Sequence, residues 1–401
     1  MIRYEEALEL ILAKVHRGEP EVVSLKDSFG RVIAADAPAT LDHPSFDNSA
    51  MDGYAVVAES VRGASRENPV SLKFVGDVPA GGDDSIVVGP GEAARIGTGA
   101  KIPRGADTVV IVENTDFRDG QVVVYQGEPE GRHIRRAGED FRKGDVLVKE
   151  GTVIGPPEVC YLAANGYASV SVYRRPRVGI LSTGTELVPV DSPVSGTKVR
   201  DSNSATIRAL AERAGAVAEV LPSLPDERDE IVRFIGERMR SFDFFVTIGG
   251  ISMGAHDYVG EALEAAGAKM EFWKVAIRPG KPFGFGTAGN TLVFALPGNP
   301  VSCYITFEIF ARPAIARFCG RKPPYREFIT ATLGEDVKKK KGLTTFVRGR
   351  IVGDAPDVTF LPYKKQGSGM ISTLVECDAV FVAPEGRETV EKGERISVFR
   401  L

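Results

Sequence analysis

The sequence predicts a multidomain protein of mixed α/β and β class: a doubly wound α/β domain, an inserted β domain, a split helical and mixed domain, and a C-terminal β domain resembling a barrel or sandwich. Three observations carry this. From Pro176 to Ala295, strand-length apolar runs alternate with helical patterns, which implies a parallel sheet with right-handed crossovers. Between residues 70 and 140, short apolar alternations (LKFVGDV, DTVVIV, VVVY) are separated by Gly and Pro. After Phe318, the segments FITATLG, LTTFVRGRIV, AVFVAPEG and RISVFRL alternate at period two. The expected domains are 1–43 with 141–175 (split), 44–140 (inserted β), 176–322 (α/β) and 323–401 (C-terminal β).

Taken in order, residues 1–16 place Tyr4, Ala7, Leu8, Leu10, Ile11 and Val15 largely on one helical face, opposite Glu5, Glu6, Glu9 and Lys14; this is a packing helix. From Pro44, PSFDNSAMDGYAV crowds Asp47, Asn48, Ser49 and Asp52 ahead of an apolar run from Tyr54 to Val57. Either the segment caps its own backbone or it is aimed at a ligand. The loop RIGTGAKIPRGAD, Arg95 to Asp107, carries three glycines, Thr98 and three basic residues. It reads equally as an anion-holding loop or a long solvated connection. Asp140 in GED reads either as the close of a β turn or as a site residue, and Pro156 and Pro157 then lead into a helical pattern through Val159, Leu162 and Ala163.

In the α/β region, Val178, Ile180 and Leu181 form a buried-type strand, followed by the hydroxyl-rich turn Ser182 to Thr185 and by Glu186. Helices are expected near Ser204–Ala214, Asp226–Arg240 and Tyr258–Ala266, with strands at Val217–Leu221, Phe244–Ile248, Met270–Val275 and Leu292–Ala295. The central strand stops at GGISMGAHD, a glycine loop that also carries Ser252 and Asp257. Backbone N–H groups at such a loop are free to face an anion, although a plain turn explains the glycines too. Three loops, STGTE, GGISMGAHD and LPGNPVS, should share the carboxyl edge of the sheet, the last offering a helix N-terminus at Pro300–Ser302. Between the second and third, Lys274, Arg278 and Lys281 read as a substrate-phosphate clamp. Asp226, after Pro225, reads as a helix N-cap. Lys338–Lys341 reads as a solvated hairpin edge, and Gly367, Ser368 and Gly369 as a flexible turn or a close approach to a ligand.

At 401 residues, 43% hydrophobic and 26% charged, the chain has an ordinary globular composition. Its net charge of -4 argues against a general nucleic-acid surface. No apolar run approaches a membrane span, and the acidic, amphipathic start is unlike a secretory signal, so a cytoplasmic location is expected. Cys160, Cys303, Cys319 and Cys377 are scattered without metal-ligand spacing and read as buried, reduced and non-catalytic.

With FDNSAMDGYAV, RIGTGAKIPRGAD, GED, LSTGTEL, GGISMGAHDY, WKVAIRPGKPF, LPGNPVS and QGS in this order, the chain resembles the MoeA family of molybdopterin molybdenumtransferases, which is similar to the C-terminal part of gephyrin. The resemblance covers essentially the whole chain. It implies a homodimer with a shared active site, a molybdopterin-binding α/β domain, and transfer of molybdenum from molybdate to adenylylated molybdopterin with release of AMP and a need for Mg²⁺. On the matching positions it implies catalytic roles for Asp52, Glu186 and Asp257, with Glu186 and Asp257 serving the metal. It also implies substrate contacts from Thr98, Asp140, Asp226, Ser252, Lys274, Arg278, Lys281, Arg348 and Ser368. Arg278 stands where some relatives have Lys, which replaces a point charge by a fork. The oxyanion pocket is left open among Arg348, Ser368 and the PGNP turn, as is molybdate against tungstate. The molybdopterin adenylyltransferase is a candidate partner. Two other classes compete: an enzyme that adenylylates molybdopterin with ATP, and a scaffold whose pterin site has lapsed.

Overall fold

The computed structural model describes residues 1–82, 85–251, 258–322, 327–354 and 358–401; Ser252 and Asp257 lie outside the described residues. The chain forms two compact units. One comprises Met1–Ala35, Glu150–Val159 and Ala168–Leu401, the other Asp36–Lys149 and Cys160–Tyr167.

The first unit is built on a six-stranded sheet: β1 (Arg177–Ser182), β2 (Val217–Val220), β3 (Phe244–Ile248), β4 (Lys269–Trp273), β5 (Gly284–Ala288) and β6 (Thr291–Leu296), in the order β2-β1-β3-β6-β5-β4. The first four in that order run parallel, as the alternation of strands and helices requires. The fifth, β5, runs against them, and β4 beyond it runs with them again. β5 pairs antiparallel with both β6 and β4, so the expected parallel sheet is mixed at one edge. A tight turn at Gly289 (φ 62) joins β5 to β6 as a hairpin. Strand β5 escapes sequence reading because Gly284 and Gly286 interrupt its apolar pattern. A Cβ on Gly284 would lie 2.3 Å from the Trp273 ring, so glycine is what lets that ring cover the strand.

Four helices follow the strands: α1 (Ser202–Ala214), α2 (Arg228–Arg238), α3 (Tyr258–Ala265) and α4 (Pro300–Thr306). The Asp201 carboxylate caps α1 by accepting from the Ser204 amide at 3.0 Å, and Gly215 (φ 105) ends it. Period-two alternation sorts β3 between two cores. Phe244 and Val246 pack with Ile207 and Leu210 on one face, and Phe245 packs with Ile231, Ile235 and Val259 on the other. The sheet is therefore doubly wound. Full burial of a side chain such as Phe244 contributes about 1.5–3 kcal/mol. The N-terminal helix, Tyr4–Lys14, adds Ala7, Leu8 and Ile11 to the first core.

The C-terminal strands close into a five-stranded barrel: Thr344–Val352, Thr359–Pro362, Ile329–Leu333, Arg395–Arg400 and Ala379–Ala383, the last pairing back onto the first. Leu333, Val347, Phe360, Phe381 and Val398 fill it. Ile277–Arg278 adds to its edge, parallel to Thr344–Thr345. The second unit holds a curled six-stranded sheet in the order Thr108–Ile111, Gly53–Val56, Glu92–Ile96, Val70–Val78, Gln121–Val124, Thr115–Arg118.

Three of the four cysteines are buried as expected, but Cys160 is exposed: its helical stretch, Pro156–Ala164, turns Leu162 inward instead. Among the described residues no helix is long and apolar enough to cross a membrane.

Candidate functional site

Strand order reverses beside β1: the chain leaves β1 for β2 on one side and returns to β3 on the other. The crevice outside the carboxyl ends of β1 and β3 is where such sheets take ligands. A cavity of about 510 Å³ lies there, lined by Thr183, Glu186, Asp226, Gly250, Asn299 and their neighbours. Backbone and side-chain bonds fasten its loops together. The Thr183 amide donates to the Ile248 carbonyl at 3.0 Å, the Gly249 amide to Leu296 at 3.1 Å, and Asn203 Nδ2 to the Gly298 carbonyl at 2.7 Å.

Gly249 (φ 88) and Gly250 (φ 60) hold left-handed backbone, and a Cβ on Gly250 would sit 2.4 Å from Val259 and 2.9 Å from Thr183 Oγ1. Thr183 is 5% exposed, and its hydroxyl has no partner among the described residues. Glu186 is exposed on the cavity wall, its carboxylate folded over Gly184. Asp226 is half-buried. Its Oδ2 accepts from the Thr185 amide at 3.1 Å and the Thr185 hydroxyl at 3.4 Å, and its own amide donates to Thr185 Oγ1 at 3.2 Å. It is not a helix cap: α2 begins after Glu227, which makes no side-chain cap bond. The bond to Thr185 takes the carboxylate away from the helix amides.

The basic segment divides. Of its residues, Pro282 reaches the carboxyl-edge cavity, whereas Arg278 is exposed on a separate cavity of about 270 Å³ beside the barrel. Lys281 is exposed, with its carbonyl accepting from Val275, and Lys274 is half-buried at φ 68. A single three-cation clamp is therefore not formed on one cavity. Pairing of Ile277–Arg278 with the barrel strand points Arg278 elsewhere.

Arg348 is wholly buried. Its Nη2 donates to the carbonyls of Lys365 at 3.4 Å and Gly367 at 3.2 Å, while Nε and Nη1 have no partner among the described residues. Burial pulls its pKa below the ordinary value, and the nearby Cys377 opposes that. Ser368 is half-buried and its carbonyl accepts from the Val301 amide at 3.0 Å. The expected anion-binding helix terminus at Pro300–Ser302 thus has that amide occupied by the protein itself, and Pro300 has none to offer.

In the second unit, Asp52 and Thr98 meet: Asp52 Oδ1 accepts from the Thr98 amide at 2.6 Å and the Thr98 hydroxyl at 2.8 Å. Asp52 reaches across to the Arg95–Asp107 loop instead of capping its own turn. The Thr98 amide, then its hydroxyl, and the Arg95 charge hold the Asp52 carboxyl below its ordinary value. Asp140 is exposed, with its amide donating to the His43 carbonyl at 3.1 Å. No group of three or more His, Cys, Asp or Glu side chains suited to a metal occurs among the described residues.

Sequence reasoning missed Asn203 and Gln366. The Gln366 amide brackets the Arg348 backbone, accepting from its N–H at 3.1 Å and donating to its carbonyl at 2.8 Å. Gln366 adjoins the GSG turn and Asn203 opens α1 among hydroxyls. Proximity to those polar runs was the available signal.

Together these features define a class: a multidomain α/β protein with a ligand crevice at the switch point of a doubly wound sheet. Residues 2–166 match the MoeA N-terminal region (domain I and II), residues 179–317 a probable molybdopterin binding domain, and residues 330–401 the MoeA C-terminal region (domain IV). The chain is 36% identical over 404 residues to a molybdopterin molybdenumtransferase of Bacillus subtilis, covering 100% of this chain and 94% of the relative. To molybdopterin molybdenumtransferase 2 of Mycobacterium tuberculosis it is 35% identical over 397 residues, 98% of each. The molybdopterin biosynthesis moeA protein of Pyrococcus horikoshii OT3 superposes with a TM-score of 0.86 at 30% identity, with 100% of both chains covered. The chain belongs to the MoeA family, and with it to the enzymes of molybdenum cofactor biosynthesis.

Proposed function

We propose that the chain is a molybdopterin molybdenumtransferase that moves molybdenum from molybdate onto the dithiolene of adenylylated molybdopterin, releasing AMP in a Mg²⁺-dependent reaction. The observation that carries the reading is the carboxyl-edge cavity, where Thr183, Glu186, Asp226 and the Gly249–Gly250 turn converge from separate loops. Opening a pyrophosphate-type linkage demands positioning and charge neutralisation more than covalent chemistry. Asp226 fixes the turn that carries Thr185 and Glu186, and the Thr183 hydroxyl, without a partner among the described residues, is a donor for a phosphate oxygen. The carboxylate of Glu186, exposed to the cavity, suits a hard cation, which needs only one or two protein carboxylates beside substrate phosphates. Glu186 and Asp257 would hold Mg²⁺, which supplies charge neutralisation on the phosphates when bound. Arg348, with Nε and Nη1 unpaired among the described residues, is the favoured oxyanion contact, for molybdate or tungstate.

The reading extends to a cytoplasmic homodimer with a shared site to which Asp52, Thr98 and Asp140 contribute, supplied with substrate by the molybdopterin adenylyltransferase. The decisive assay is AMP release from adenylylated molybdopterin with molybdate, tungstate and Mg²⁺ added or withheld. Release that needs both oxyanion and metal is expected; tight pterin binding without release would sink the reading. Mixed Asp52→Ala and Asp257→Ala subunits should regain activity in some dimers, and no recovery after verified exchange would refute the shared site.

A further inference from the structure

The cavity of about 270 Å³ beside the barrel is not absorbed by the function above. Its walls come from the 277–279 segment, the Glu335–Lys339 edge, the strand at Thr345–Val347 and the Pro362–Gln366 loop. Two of these walls are fixed. Ile277–Arg278 is in register with Thr344–Thr345, and the Gln366 amide group is held by the Arg348 N–H, the Arg348 carbonyl and the Tyr363 carbonyl, the last at 2.7 Å. The open apolar surface is supplied by the half-buried Pro279, Pro362 and Tyr363, since Val337 and Val347 belong to the barrel core. Around it stand four cations, Arg278, Lys338, Lys339 and Lys364, against two carboxylates, Glu335 and Asp336. One cation is committed, since Lys339 Nζ donates to the Leu343 carbonyl at 2.9 Å. Arg278, Lys338 and Lys364 are exposed. In a chain of net charge -4, this is a local excess of positive charge around a preformed apolar slot. The sequence alone reads Lys338–Lys341 as a solvated edge; the fold turns the first two of those lysines onto a cavity.

A pocket near the lower end of the ligand-sized range, about 300 Å³, with apolar walls and a cationic rim takes a small ligand that has a flat apolar body and a charged end. We infer that this cavity is a second ligand site, distinct from the carboxyl-edge crevice, for a small planar-ring anion of the nucleoside monophosphate class. The ring lies against Pro279, Pro362 and Tyr363, and the phosphate meets Lys338 and Lys364 at the rim. Choosing adenylate rests on the reaction proposed above, which releases it. AMP bound here would restrain turnover without occupying the crevice.

The test is equilibrium binding of AMP, adenosine and inorganic phosphate by calorimetry to the full chain, to Lys338→Ala/Lys364→Ala, and to Glu186→Trp, whose ring fills the carboxyl-edge crevice from its exposed wall. Both lysines are exposed, so the double variant should fold normally, and it should keep basal turnover. The expected result is an AMP site that weakens roughly tenfold or more in the double lysine variant and persists in Glu186→Trp, with adenosine and phosphate each binding more weakly. Inhibition of turnover by added AMP should fall in parallel. AMP binding lost in Glu186→Trp alone would overturn the second site while leaving the transferase reading standing. Phosphate binding as tightly as AMP would reduce the cavity to an unspecific anion patch and overturn it as well. Absence of AMP release in the turnover assay is a separate result, bearing on the transferase reading, and this binding experiment does not depend on it.

Discussion

Replacing Arg348 by Met tests whether its buried guanidinium is kept for an anion or for the fold. The side chain is 0% exposed, with Nε and Nη1 unpaired among the described residues and Nη2 shared between two carbonyls at 3.4 and 3.2 Å. An unmet buried donor costs about 1–3 kcal/mol, so two cost about 2–6 kcal/mol, while the bonds Nη2 makes contribute about 1 kcal/mol each. Methionine keeps much of the volume and removes both the charge and the unmet donors. Without oxyanion, Arg348→Met should therefore be between neutral and about 4 kcal/mol more stable than the parent. With molybdate or tungstate at a hundredfold excess over its dissociation constant, the parent should gain about 2.7 kcal/mol and the variant nothing. Urea unfolding of both proteins, with and without oxyanion, measures each quantity. A variant destabilised by more than about 2 kcal/mol, or one stabilised by oxyanion as much as the parent, would show that the guanidinium is kept for the fold and not for an anion.

Gly250→Ala should lose about 1–3 kcal/mol, because its φ of 60° is strained for alanine and the new Cβ would press on Val259 at 2.4 Å; unchanged urea unfolding would contradict this. Asp52 has a depressed folded pKa, so its contribution to stability is present above the unfolded carboxylate pKa and is lost as pH falls through the folded value. Parent and Asp52→Asn should thus differ in stability at neutral pH and converge in acid, which unfolding curves across pH would record. Thiol titration of the native protein at mildly alkaline pH should find Cys160 fast. Cys319, pushed up to about 11 by burial, and the still more perturbed Cys303 should remain unreactive until the protein unfolds.

Much of the architecture is legible in periodicity. The β3 run FFVTI alternates its side chains between two helical layers, and the period-two segments after Phe318 close a barrel. What periodicity cannot carry is a strand whose pattern is broken for packing, as at Gly284 under Trp273. The site is legible in its loops but less so in its partners. Polar runs mark STGTE and the Asp52 segment, yet nothing local in the sequence tells that Asp52 bonds Thr98, 46 residues away, or that Asp226 bonds Thr185, 41 residues away. Spacing in the chain likewise made Lys274, Arg278 and Lys281 one clamp, whereas pairing of Arg278 with the barrel edge assigns it to another cavity.

Asp226 shows why those long-range bonds matter for chemistry. Its carboxylate accepts from the amide and hydroxyl of Thr185, the residue before Glu186, so it sets where the Glu186 backbone leaves β1. Two roles are separable by chemistry. If Asp226 acts by position, Asp226→Asn retains an acceptor for Thr185 and should keep most turnover, whereas Asp226→Ala frees the turn. Loss of the turn's bonds costs only about 1 kcal/mol of stability, but a displacement of about 1 Å at a reacting centre costs on the order of a hundredfold in rate. The alanine variant should therefore fold, bind pterin and lose kcat far more than KM. If the negative charge itself serves the phosphates' counter-ion, asparagine should fail as badly as alanine, and raised Mg²⁺ should restore part of the loss in both. Equal, Mg²⁺-responsive failure of the two variants would move Asp226 from a positioning residue to a metal ligand beside Glu186.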